Sequence, residues 1–177
     1  MATILLARQD ITQVIDQPPA VSYKDQTGKT RSHIFDFLAV TFDGKRIAIA
    51  VKPECKLEKS GIQDTVSLIR EQVGRRFADH YLIRTERQIT RNRVANAELI
   101  LRSRLCRNEA DVAKMHELIS SLHGATSISS LVAHSGLGAR AFNAVVCLID
   151  LGDLQTVGDI RIGYLASVYR PSIRRGE

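Results

Sequence analysis

Two apolar runs separated by Asp43-Gly44 set the tightest limit on how this chain can fold. Residues 33–42 and 45–52 are apolar on both faces, with Ile34, Phe35, Phe37, Leu38, Ala39 and Val40 in the first run and residues 47–51 in the second. Strands of that kind lie in the middle of a sheet covered on two sides, and Asp-Gly between them predicts a hairpin. Two charges, Asp36 and Lys52, are embedded in these runs. A buried ion without a partner is strongly disfavoured, so the two either pair or serve a site. Hairpin parity separates the possibilities. A two-residue loop pairs Phe42 with Lys45, sets Asp36 opposite Val51 and turns Lys52 to the other face. A three-residue loop, with Gly44 left-handed in a bulge, pairs Thr41 with Lys45. Asp36 then faces Ala50, with Lys52 one pleat along on the same face. The bulged loop is favoured because it lets the two charges meet.

Around this hairpin the pattern alternates between strand and helix. Residues 1–17 are ambiguous, with 11–15 extending a strand or ending a short helix before Pro18-Pro19 stops either. Residues 21–23 read as a strand and 25–28 as a turn. An amphipathic helix is expected over 61–77, with Ile62, Val66, Ile69 and Val73 on one face, then a short strand over 79–84. Two helices follow: 90–105, with Val94, Ala97, Leu101 and Leu105 inward, and 109–122, with Val112, Met115, Ile119 and Leu122 inward. Residues 124–126 read as a linker. Beyond it, 127–133, a turn at His134-Ser135-Gly136 and 138–151 form a helix-turn-helix pattern, and 154–162 suit a small wing. His116 and His123 read as surface residues rather than metal ligands.

At 177 residues with 44% hydrophobic and 25% charged side chains, the chain has the mix of a globular protein large enough to bury a core. No apolar stretch is long enough to span a bilayer. Cys55, Cys106 and Cys147 lie far apart, which argues against a disulfide framework or zinc site and for a reduced cytoplasmic setting. Aromatics are only 5%, so base stacking is a poor candidate for the main binding mode. The net charge of +6 is concentrated: residues 70–107 hold ten basic side chains, all arginine, against four acidic ones. Arginine's planar fork suits phosphate oxygens. That makes Arg75, Arg76, Arg91, Arg93, Arg102 and Arg104 candidates for DNA contact, against the plainer reading of a solvated helix face.

A carboxylate on one strand and X-x-Lys on the next is the skeleton of PD-(D/E)XK nucleases. There, two carboxylates hold Mg²⁺ on the scissile phosphate, and the lysine offsets developing charge. The surrounding residues extend the likeness: Gln17-Pro18, residues 21–23, Gly28, Asp36-Phe37-Leu38, Asp43-Gly44, Val51-Lys52-Pro53, Arg84-Thr85-Glu86 and residues 96–101. In this order and spacing, over roughly residues 15–165, they resemble TnsA-type endonuclease subunits of heteromeric transposases. The resemblance implies an α/β, restriction-endonuclease-like mixed sheet flanked by helices over residues 1–123. A small helical, winged-helix-like domain would follow over 124–177. It implies Mg²⁺ held by Asp36 and the Val51 backbone carbonyl, with Lys52 catalytic. It also implies DNA cleavage at transposon ends beside a transposase catalytic subunit and an ATP-dependent regulator.

The sequence departs from that family pattern at three places. Ala50 stands where an acidic or amide residue usually precedes the lysine by two. Residues 1–7 offer no carboxylate for the family's upstream glutamate, whose helix the chain is not expected to contain in full. Phe35 replaces the proline before the aspartate. Cleavage is therefore expected to be impaired. A scaffold that binds a protein partner is the alternative. A third reading is an active nuclease completed by Glu54, Glu58 or a partner chain. In the helix-turn-helix, Arg140 and Asn143 are the polar residues at the start of the second helix, and protein docking is as reasonable there as DNA reading.

Overall fold

The computed structural model describes residues 1–171; the end of the expected C-terminal domain, 172–177, lies outside the described residues. The chain divides into two compact units, Met1–Thr90 and Arg91–Glu177.

In the first unit, α1 (Ala2–Leu6) leads into β1 (Ile11–Asp16), β2 (Val21–Lys24), β3 (Thr30–His33), β4 (Phe37–Thr41) and β5 (Arg46–Val51). Then come α2 (Leu57–Ser60), α3 (Ile62–Gln72) and β6 (His80–Arg84). The main sheet has the order β1-β4-β5-β6; only the β5–β6 pairing is parallel, while β2 and β3 form a separate hairpin. The sheet is mixed and covered on both faces. On one face Leu38, Ala48 and Ala50 pack with Ile62, Val66 and Ile69 of α3 and with Val21 and Phe35. On the other, Ala39, Ile47 and Ile49 pack with Leu5 of α1. Burying a side chain the size of Phe35 or Ile69 contributes about 1.5–3 kcal/mol, so these two layers set the strand alternation.

The hairpin takes the bulged register. Thr41 N–H donates to the Lys45 carbonyl at 2.9 Å, Gly44 sits at φ +78, and Phe37, Leu38 and Ala39 pair with Ile49, Ala48 and Ile47. The run over 33–42 is not one strand, however. It breaks at 34–36, ending β3 in the outlying hairpin and starting β4 in the main sheet. Gln72 of α3 ties that outlying hairpin down, accepting from Lys24 N–H and donating to the Lys24 carbonyl, each at 2.8 Å.

The second unit comprises α4 (Arg91–Leu105), α5 (Glu109–Ser120), β7 (Ala125–Ser127), α6 (Ile128–Ser135), α7 (Ala141–Leu151), β8 (Gln155–Thr156) and β9 (Ser167–Tyr169). Its small sheet has the order β7-β9-β8. Residues 124–126, read as a linker, instead begin the sheet strand β7. α5, α6 and α7 share one core, with Leu99 and Ile100 of α4 packed against it. The two long helices expected to belong with the sheet thus join the helical unit, and the structural division falls at residue 90 rather than 123. An amphipathic stripe does not say which core it will meet. The inward face of α4 also differs: Ala97 and Ser103 are buried, while Leu105 is 87% exposed.

Candidate active site

Asp36 stands at the crossing from the outlying hairpin into β4, one residue before the strand. Its Oδ2 accepts from Val51 N–H at 2.7 Å, and its backbone carbonyl accepts from Gln17 N–H at 3.0 Å. Gln17 adopts φ +44, a left-handed conformation uncommon outside glycine. That turn, just before buried Pro18, aims the Gln17 amide at Asp36. The Gln-Pro dipeptide is thus a backbone anchor for the carboxylate. It is the Val51 amide N–H that meets Asp36.

Lys52 follows β5 directly, and its N–H donates to the Arg84 carbonyl at 3.0 Å, extending the parallel ladder by one residue. Alternation continues Lys52 onto the face of Ala48 and Ala50, whereas the Asp36 carboxylate reaches β5 through the Val51 N–H. Besides burial, both charges act on the His33 ring, Lys52 lowering its pKa and Asp36 raising it. They do not form an ion pair: among the described residues no carboxylate lies within ion-pair distance of Lys52. Ala50 lies between them in the register and is 0% exposed, its methyl packed in the helix-side core.

A third residue belongs to this constellation and was missed in the sequence. His33, at the end of β3, packs edge-on against Phe35 with ring centroids 4.7 Å apart. Its Nε2 is sealed from solvent and has no hydrogen-bond partner among the described residues. Burial lowers its pKa from the ordinary 6.5, the charge of Lys52 lowers it further, and Asp36 partly opposes both. The ring lies within electrostatic reach of both charges, and its surroundings favour the neutral imidazole. A histidine three residues before the aspartate was the available signal, but an apparently unbroken strand hid that β3 and β4 belong to different sheets.

The other carboxylates considered for the site are engaged or exposed. Glu54 pairs with Arg87 at 3.1 Å, and Glu86 accepts from Glu54 N–H at 2.9 Å. Glu58 is exposed at the start of α2. Among the described residues, no three of His, Cys, Asp and Glu cluster as a metal site would require. Mg²⁺ prefers an octahedron of oxygen ligands. With one carboxylate and a methyl at position 50, these residues do not fit the two-carboxylate Mg²⁺ site implied by the resemblance.

The arginine-rich segment is divided between the two units. In the first, Arg75 is 90% exposed and lies 3.9 Å from Asp79. Arg76 donates to the Gln72 carbonyl at 2.7 Å. In the second, Arg91 is exposed at the start of α4, Arg93 pairs with Asp159 at 3.2 Å, and Arg102 lies 3.8 Å from Glu98. Arg104 makes a two-pronged pair with Asp150 of α7, both contacts 2.8 Å, with the Asp150 side chain 4% exposed. Arg140 faces buried Asp111 at 3.4 Å across a recess of about 320 Å³ that Asn143 also lines. Asn143 donates to the Cys106 carbonyl at 2.9 Å. Most of α7 is buried, from Ala144 to Leu148 without a break. Within this unit, α7 is packed and stitched to α4 rather than displayed.

These features agree with the comparison to known families. The description of a TnsA-like endonuclease N-terminal domain matches residues 8–97. That span begins before β1, takes in Gln17, His33, Asp36 and Lys52, and ends within α4. No match is found among curated proteins. With half of its length matched, the chain belongs to the TnsA-like endonuclease family.

Proposed function

We propose that this chain is a DNA-acting, nuclease-fold subunit of a transposase-type assembly whose own capacity to cut phosphodiester bonds is impaired. The observation that carries this reading is the meeting of Asp36 with the end of β5, where Val51 N–H, between the buried methyl of Ala50 and Lys52, donates to its carboxylate. Asp36 can orient a cation or water and Lys52 can meet a phosphate, but the second carboxylate that would complete a Mg²⁺ nuclease is missing. A transposase catalytic subunit and an ATP-dependent regulator are the partners that the family suggests. A cytoplasmic setting follows from DNA as substrate, and no helix among the described residues is long and apolar enough to cross a membrane.

The order α5-β7-α6-α7-β8-β9 supports a winged-helix reading of the second unit. Its second helix is poorly placed to read a major groove, because Asn143 is engaged with Cys106 and Arg140 with Asp111. Phosphate contacts then fall to exposed arginines such as Arg75, Arg91 and Arg102. Protein docking through this unit, with the sheet as scaffold, is the second reading. The clamping of Arg104 and Arg93 to carboxylates favours it.

The test is plasmid nicking by the purified chain with Mg²⁺ or Mn²⁺, alongside DNA affinity across a salt series. Little or no nicking is expected. The logarithm of affinity should fall linearly with log salt, and more shallowly after joint replacement of Arg75, Arg91 and Arg102 by serine. Robust metal-dependent cutting abolished by Asp36→Ala would overturn the impairment. Salt-insensitive binding, or none, would favour the docking reading.

A further inference from the structure

The outer edge of β2 is only partly covered. In an antiparallel pair, successive residues turn their N–H and carbonyl alternately toward the partner strand and away from it. Lys24 turns both away from β3, because its N–H donates to Gln72 Oε1 and its carbonyl accepts from Gln72 Nε2, each at 2.8 Å. The Gln72 amide thus stands where the peptide group of a further strand would stand. Ser22, two residues back in the same register, turns outward as well and is exposed. Among the described residues, nothing does for the Ser22 N–H and carbonyl what Gln72 does for Lys24.

Beside Ser22 runs a groove of about 380 Å³, with residues 19–22 on one side and Val73, Arg76 and Phe77 on the other. Val73 and Phe77 are half-buried and pack against the core that α3 shares with the sheet. Arg76 is the charged residue of this lining. Its guanidinium is fixed at the end of α3 by the Gln72 and Val73 carbonyls, at 2.7 and 3.4 Å, and pairs with no carboxylate among the described residues. A strand edge asks for a donor and an acceptor together, which a peptide supplies and a phosphate backbone does not. The apolar wall suits an aliphatic side chain, and Arg76 suits a carboxylate. We propose that the β2 edge takes an extended acidic segment of a partner protein as an added strand, bonded to Ser22, with an aliphatic side chain over Val73 and Phe77 and a carboxylate on Arg76. The inference stands whether or not the chain cuts DNA.

The probe is a capped synthetic hexapeptide, Glu-Glu-Val-Val-Glu-Glu, in which either face of the strand carries a valine flanked by carboxylates. It is titrated into the full chain and followed by amide nitrogen-15 spectra. The Ser22 amide resonance should move, while that of Lys24, already bonded to Gln72, should stay. Ser22→Pro removes the edge N–H without touching the ladder, since proline is tolerated on a strand edge. It should weaken binding roughly fivefold or more, the loss of one net hydrogen bond. N-methylation of both valine amides of the probe should weaken binding to the unmodified chain by a similar factor, whatever the variant does to folding. Lys-Lys-Val-Val-Lys-Lys should bind more weakly than the acidic probe, and Arg76→Gln should narrow that gap. An unmoved Ser22 resonance at millimolar probe, indifference to N-methylation, or equal binding of the basic peptide overturns the inference. So does movement of the same resonance on concentrating the chain alone, which would give the edge to a second copy, or on adding a short DNA duplex, which would give the groove to nucleic acid.

Discussion

The sheet unit and the helical unit treat their charges in opposite ways. In the helical unit, Arg104 grips Asp150 with two contacts of 2.8 Å, Arg140 faces Asp111, and Asn96 holds the 157–166 loop through the Ile160 carbonyl and the Ile162 N–H, each at 2.8 Å. In the sheet unit, among the described residues, Lys52 has no carboxylate partner and His33 Nε2 has no hydrogen-bond partner. Fold stability favours satisfied groups, so clamped charges mark architecture. Groups held unsatisfied against that tendency mark a place kept for something else. Family membership rests on the same half of the molecule: the matched span covers the sheet and ends within α4.

The largest effect expected from breaking this contrast is in the helical unit. Arg104→Ala leaves the nearly buried Asp150 carboxylate without its cation. Because Arg104 itself is about one-third exposed, the loss should be about 2–3 kcal/mol, below the 3–5 kcal/mol of a fully buried pair. Urea unfolding checks it, and Arg104→Met with Asp150→Leu should recover most of the loss. A DNA-binding variant that includes Arg104 would therefore confuse unfolding with lost phosphate contact.

Asp36→Ala should cost less, about 1–2 kcal/mol, because it orphans one half-buried amide, Val51 N–H. Asp36→Asn keeps an acceptor there and should cost less than half as much in the same assay.

A smaller effect concerns the two turns of the sheet unit. Hydrogen bonds from Thr27 and then Arg31 hold the Asp25 carboxyl at about 2. Contacts with Lys45 and then Thr41 hold Asp43 at about 2. Both values lie below the ordinary 3.8, so the stabilisation is fully present above pH 3.8 and is lost as pH falls towards 2. The stability of Asp25→Asn and Asp43→Asn should change less with pH in that window, lying below the parent above about pH 5 and approaching it near pH 2.

How much of this was legible in the sequence follows the range of the interactions. The bulged register was readable because Asp43-Gly44 and the placement of Asp36 and Lys52 act within twenty residues. The break at 34–36 was not, since Ile34 and Phe35 continue the apolar run and only the Val51 amide, fifteen residues away, shows why the chain turns at Asp36. The fate of the arginines was illegible for the same reason: Asp150 lies 46 residues from Arg104. β7, three residues long, carries too little pattern to distinguish it from a linker.

The most direct test of the central claim, that the sheet-face charges serve a site rather than the fold, is the urea unfolding midpoint of Lys52→Met. Methionine keeps much of the lysine stem while removing a charge that has no ion-pair partner. The account predicts a midpoint equal to or above that of the parent. A loss of more than about 1.5 kcal/mol would show that Lys52 holds the structure together, and would contradict the claim.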